Sequence, residues 1–247
     1  MDALTAAAAS GIRARIESLD MLANNLANAS AAGFKSDSES YGLYLAPETA
    51  DSPEGTFPAI LPVIQNRWTD FSQGPLLPTG NSTDLALSGK GFFVATTPSG
   101  PLYTRNGSFR VSGNGQLETL DGYPIQAADG RPVTLDKTKS FEVTPEGILR
   151  QDGQDIAQIA LVDFDDTRVL TKRRGSYFVN SSPAAKPAVA AGVEVRQGKI
   201  EATNSESAHS AARLVTILRQ FEALQKAMTI GADMNRRAVE DVAKVGS

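Results

Sequence analysis

The last stretch of the chain limits its fold more than any other. From Ser207 to the C-terminus there is no proline, so nothing breaks a helix there. Leu214, Phe221 and Met228 recur every seven residues, and Ile217, Leu224 and Gly231 follow three places behind. That spacing of a and d positions predicts one long amphipathic helix with coiled-coil tendencies. Asn204 or Ser205 suits its N-cap, and Glu206 suits the positive end of the helix dipole. A helix of about 40 residues is roughly 60 Å long. A seam of that length needs a partner.

One other segment has the same character, and it lies at the opposite end. Residues 3–28 begin with the strong helix formers Ala6 to Ala9. Ile12, Leu19 and Leu26 repeat at intervals of seven, as do Ala9, Ile16 and Ala23. The second set is a small-residue edge that lets a neighbouring helix come close. Asn24, Asn25 and Asn28 crowd the end, where asparagine favours caps and turns. Gly33 fits a left-handed stop, with Phe34 folding back on the last turn. The stretch reads either as a plain helix terminus or as a shaped junction running through Lys35.

Between the helices the pattern changes twice. Pro47, Pro53, Pro58 and Pro62, with the turn cluster Asp51-Ser52-Pro53-Glu54-Gly55, rule out long helix. Residues 36–68 therefore read as an extended connector, with a short edge strand at Ile60–Ile64. From Thr69 to Val195, short apolar runs alternate with Gly, Asn, Asp and Pro turns, and Asn106-Gly107 is a strong hairpin signal. This predicts an all-β domain, sandwich or barrel-like. Val193 to Glu201 alternates and reads as an extended lead-in to the final helix.

The expected fold class is α+β. The long terminal helices pair as a coiled coil, joined by the connector to a central all-β domain. The divisions are 1–35, 36–68, 69–195 and 196–247. Burying Leu214, Ile217, Phe221, Leu224 and Met228 would contribute about 1.5–3 kcal/mol each. Two helices cover only one stripe apiece, so the remaining apolar residues call for further chains.

Composition narrows the function. A formal net charge of -4 on 247 residues gives no reason to expect nucleic acid or an anionic membrane surface as partner. With no cysteine and a single histidine, His209, there is no disulfide framework, and a multi-histidine metal site or histidine-based triad is not expected. No apolar run reaches bilayer-spanning length, and no basic and apolar leader of the secretory kind is visible. No cofactor is expected. Gly89-Lys90-Gly91 fails the phosphate-loop pattern, because Asp84 stands at the first glycine and neither Gly91 nor Phe92 after Lys90 is Ser or Thr. Asp163, Asp165 and Asp166 read as a solvated turn before a cation site. Lys172-Arg173-Arg174 reads as a solvated face before a contact for an acidic partner. Trp68 reads as an anchor of the connector on a core, and His209 as a packing or capping residue.

The motifs in order resemble one family. Asn24-Asn25-Leu26-Ala27-Asn28-Ala29-Ser30 followed by Gly33-Phe34-Lys35 is similar to the N-terminal signature of bacterial flagellar basal-body rod and hook proteins. Phe71-Ser72-Gln73-Gly74-Pro75-Leu76, Asp84-Leu85-Ala86-Leu87, Gly89-Lys90-Gly91-Phe92-Phe93 and Tyr103-Thr104-Arg105-Asn106-Gly107 resemble its central motif. Gln197-Gly198-Lys199-Ile200-Glu201-Ala202-Thr203-Asn204 resembles the lead-in to its last helix.

The resemblance implies a non-catalytic axial subunit of the flagellar rod. It would be exported through the flagellar type III apparatus without a cleaved signal peptide and located in the periplasm-spanning basal body. Its partners would be copies of itself and other rod and hook proteins, with no membrane insertion. The short connector and total length favour the proximal rod over the distal rod. The implied interface residues are Ile12, Ile16, Leu19, Leu22 and Leu26, then Asn24, Asn25, Asn28, Gly33 and Phe34, then Leu214, Ile217, Leu218, Phe221, Leu224 and Met228. Two other readings stand beside this one. One is a peptidoglycan-acting enzyme associated with the rod. The other is a β-rich adaptor dimerised by a coiled coil.

Overall fold

The alternating short runs from Thr69 onward form strands because each buries one side and meets a turn residue before it lengthens. The computed structural model describes residues 3–45 and 60–245. They divide into two units. A helical unit draws on Met1–Ala27, Asp37–Trp68 and Ser207–Ser247, and a β body on Asn28–Ser36 and Thr69–Glu206.

In the β body six strands form one antiparallel sheet. Its order is Leu170–Arg174, Tyr177–Asn180, Gly100–Thr104, Phe92–Thr97, Leu161–Asp163, Ala188–Val189. Phe92 to Ala95 are buried without a break, as expected for a central strand covered on both faces. One side packs on the main core, which includes Leu85, Phe93, Leu117, Ile125, Leu149 and Val195. The other side carries Phe92, Val94, Tyr103, Phe164 and Phe178, with Phe71 against them. Here Phe71 meets Phe178 at 5.0 Å and Phe164 meets Tyr103 edge-on at 4.9 Å, geometries that the ring quadrupoles favour. The turn after Arg105 needs glycine for space: a Cβ on Gly107 would stand 1.5 Å from the Leu85 carbonyl oxygen.

The alternating lead-in is built into this body. Glu194–Gln197 pairs with Leu85–Ser88, and Lys199–Glu201 pairs with Leu76–Pro78. The last strands before the final helix thus complete sheets begun more than a hundred residues earlier.

The helical unit holds α1 (Ala3–Ala27) and α2 (Ser207–Val245). Strands Asp37–Leu45 and Ile60–Thr69 form a two-stranded sheet across most of the stretch read as a connector. Pro47, Pro53, Pro58 and the turn cluster at 51–55 lie outside the described residues. Trp68 does not anchor in a core: it is 46% exposed, as an isolated two-stranded ribbon has few faces to bury.

The expected long coiled coil is not formed. The helices differ in length, and their shared apolar cluster is short: Met21, Leu22 and Ile217, with Leu19 and Leu214 beside it. Phe221, Leu224 and Met228 are only half-buried, and Leu218 is exposed. On α1 the buried face is Ala8, Gly11, Ala14, Ser18, Met21, Leu22 and Asn25, while Ile16 and Leu26 point outward. The reason is size. From Ala8 to Ser18 small residues let a neighbour approach closely, and only Met21 and Leu22 add large side chains to that face, so Ile16 and Leu26 are left outside. Asn204 does not cap α2 either, because its amide is committed within the β body.

Phe178 is fully buried, whereas Leu120 is 60% exposed. Phe178→Ala should therefore cost about 3–5 kcal/mol, and Leu120→Ala within about 0.5 kcal/mol. Urea denaturation of the full chain, followed by the β signal, measures both.

Candidate assembly surfaces

The junction residues converge on one buried carboxylate in the β body. Glu201 is the last residue of its strand and has no exposure. Its Oε1 accepts from Lys35 Nζ at 2.6 Å and from the Gly74 backbone N–H at 2.9 Å. Its Oε2 accepts from Arg105 Nη1 at 3.2 Å. Its backbone carbonyl accepts from the Gly33 N–H at 2.7 Å. Lys35 also donates to the Ser72 carbonyl, and Arg105 Nη2 to the Gly89 carbonyl. Burial pushes both the Lys35 ammonium and the Arg105 guanidinium below their ordinary ranges, and Glu201 opposes this in each case.

Gly33 has a reason to be glycine. Its φ is +64°, and a Cβ there would stand 2.2 Å from the Asn106 backbone nitrogen. The left-handed backbone therefore serves the Glu201 contact rather than a helix stop. Phe34 is buried, with Lys172 Nζ 4.3 Å above its ring. Asn204 completes the splice: its Oδ1 accepts from the Ser36 N–H and its Nδ2 donates to the Asp70 carbonyl.

In the helical unit, Asn25 acts as a strand partner. Its Nδ2 donates to the Asp37 carbonyl at 2.8 Å, and its Oδ1 accepts from the Asp37 N–H at 3.0 Å. Asn24 is exposed and Asn28 half-buried. Ser18 hydrogen-bonds the Tyr41 hydroxyl, which donates to Glu39 at 2.7 Å. Outside this polar seam the two helices are apolar on open faces. Ile16 is 45% exposed, Leu218 42% and Met234 65%; Leu26, Val215 and Ile230 are exposed as well. Ile12 is half-buried.

Known proteins align with this chain along nearly its whole length. It is 32% identical to the flagellar basal-body rod protein FlgF of Caulobacter vibrioides, over 92% of each chain. The chain belongs to the flagellar basal-body rod protein family. FlgF of Mesorhizobium japonicum is 28% identical over 90% of each chain, and FlgG of Agrobacterium fabrum 26% over 93% of this chain and 95% of its own. Residues 86–151 match the family described as flagellar hook protein FlgE/F/G D1 domain. In this rod protein that segment lies wholly within the β body.

The remaining sequence candidates fall in ordinary places. Gly89 to Gly91 make the turn into strand Phe92–Thr97. Asp166 caps a short 3-10 turn and pairs with Arg168 on the surface. His209 is exposed near the start of α2. Sequence reasoning quoted Lys35, Arg105 and Glu201 within separate motifs but did not join them. The available signal was parity: in the alternating lead-in, Glu201 shares a side with the apolar Val195.

Removing one member of a buried ion cluster strands the others without compensation. Glu201→Gln should destabilise the β body by about 3–5 kcal/mol. A thermal or urea melt of the variant against the parent chain checks this.

Proposed function

We propose that the chain polymerises into the rod through the open apolar faces of its helical unit. The observation that carries this reading is where the exposed large apolar residues lie. Ile16 and Leu26 on α1 and Val215, Leu218, Ile230 and Met234 on α2 crowd two helices, whereas a chain that stays monomeric avoids concentrated apolar surface. On the β body Leu77, Leu120, Ile156 and Val189 are scattered singly over a much larger unit. Covering a side chain such as Leu218 contributes about 1.5–3 kcal/mol, so several per subunit drive association.

In this reading the interface comprises the outward residues of both helices, with Phe221, Leu224 and Met228 completing their half-burial against neighbours. Ile217, Leu22 and Asn25 hold each subunit together instead. A subunit that repeats along an axis uses head-to-tail contacts that do not close. The partners are copies of the chain and other axial proteins of the rod and hook. The proximal rod is favoured, because the relatives named FlgF align over nearly the whole chain at up to 32% identity. The role is structural rather than enzymatic. Delivery runs through the flagellar export apparatus.

Leu218→Asp or Phe221→Asp should abolish incorporation into basal bodies and swimming, while the β body melts as in the parent. Normal swimming by either variant contradicts the reading.

A further inference from the structure

A groove of about 450 Å³ opens in the helical unit beside the first turns of α2. Ala212, Thr216 and Ile217 line it together with Arg15, Tyr41 and Arg213. Its charge is unbalanced. Arg15 lies 4.8 Å over the Tyr41 ring and makes no ion pair among the described residues. Arg213 reaches Glu39 Oε1 only at 3.8 Å; that oxygen accepts from the Tyr41 hydroxyl, and Oε2 is buried without a hydrogen-bond partner among the described residues. Both guanidiniums line the groove, exposed His209 lines it as well, and among the described residues only Arg213 has a carboxylate within reach. Glu17, on the same helix as Arg15, is taken by Arg13 and Arg67.

The opposite imbalance sits on the same helix. Asp20 is exposed and makes no ion pair among the described residues. Its neighbours one turn away are Ile16, Glu17, Ala23 and Asn24, none a cation. Exposed Ile16, Ala23 and Ala27 flank it along one stripe, so a partner can approach closely. Arg15 and Asp20 are five residues apart, which places them about 140° apart around the helix axis. One chain therefore shows the groove on one side and the carboxylate on another.

We propose that Asp20 of a second copy enters this groove and pairs with Arg15 and Arg213. The contact joins unlike surfaces, so it propagates rather than closing on itself. The groove's apolar lining then receives Ile16 and Ala23, and the charge pair sets the register of one subunit on the next. This inference rests on the assembly reading above.

Charge reversal tests it in a motile bacterium carrying the full chain in place of its own copy. Asp20→Arg and Arg213→Asp singly should each lower the chain recovered in isolated basal bodies by about tenfold or more, and the two together should restore it to within about twofold. Circular dichroism of each purified variant confirms folding. Asp20→Asn, which changes only an exposed side chain, serves should the reversals misfold, and should also lower recovery. Recovery unaffected by the Asp20 changes, or a double variant no better than its worse single, overturns the proposal. So does a loss seen for Arg213→Asp alone, since the groove then holds something other than Asp20. If Leu218→Asp still blocks incorporation in those cases, the assembly reading stands and only this contact falls. Failure of the parent chain to enter basal bodies removes the assembly reading itself.

Discussion

A carboxylate with no exposure and two cations against it is the constraint on which the β body depends. Glu201 draws together Lys35 from the N-terminal side, Arg105 from the middle of the sheet, and the Gly74 amide. These residues span most of the sequence, and each sits in a turn or strand end that would otherwise be free to move. Taking three charges out of water is costly, and pairing offsets it; here Arg105 Nε alone of the cluster's charged groups is left buried without a hydrogen-bond partner among the described residues. Asp70 and Asp163 add further negative potential toward Lys35 and Arg105 respectively. Such a cluster adds little net stability over an apolar core, but it admits one arrangement of its members. The segments before α2 and after α1 are thereby fixed in the β body.

The helical unit is organised on the opposite principle. Beside the short cluster of Met21, Leu22 and Ile217, its internal contacts use small or polar residues: Ala8, Gly11, Ala14, Ser18 and the Asn25 amide. Met21, Leu22 and Ile217 are buried, while Ile16, Leu26, Leu218 and Ile230 are left outside. A subunit made for stacking must keep something unsatisfied, and in the proposed reading that is apolar area on two long helices. The size division along α1 shows it most plainly, because Ser18 is buried while Ile16 is not.

Much of this was legible in the sequence. The two helices, the many-stranded middle and the alternating lead-in follow from periodicity and turn residues. The family follows from motifs whose order is preserved. What failed was the face of each helix. Heptad spacing of Ile12, Leu19 and Leu26 marks a stripe but does not say whether this chain or the next covers it. A seam buried within one chain and a seam left open have one pattern, and the coiled-coil expectation took the second for the first. Glu201 was hidden for another reason. A long-range ion cluster leaves no local spacing, and Lys35, Arg105 and Glu201 are drawn together only by the fold. Asn204 was misread because a capping side chain and a cross-chain splice use the same atoms.

The central claim is that the apolar faces of α1 and α2 are open in the single chain and covered in the rod, while the β body is complete in both. Amide hydrogen exchange on purified monomer and on assembled rods compares them directly. The account predicts that protection rises along both helices on assembly and stays unchanged around Glu201 and strand Phe92–Thr97. Equal helix protection in the two states, or a β body that gains protection only in the rod, would contradict it.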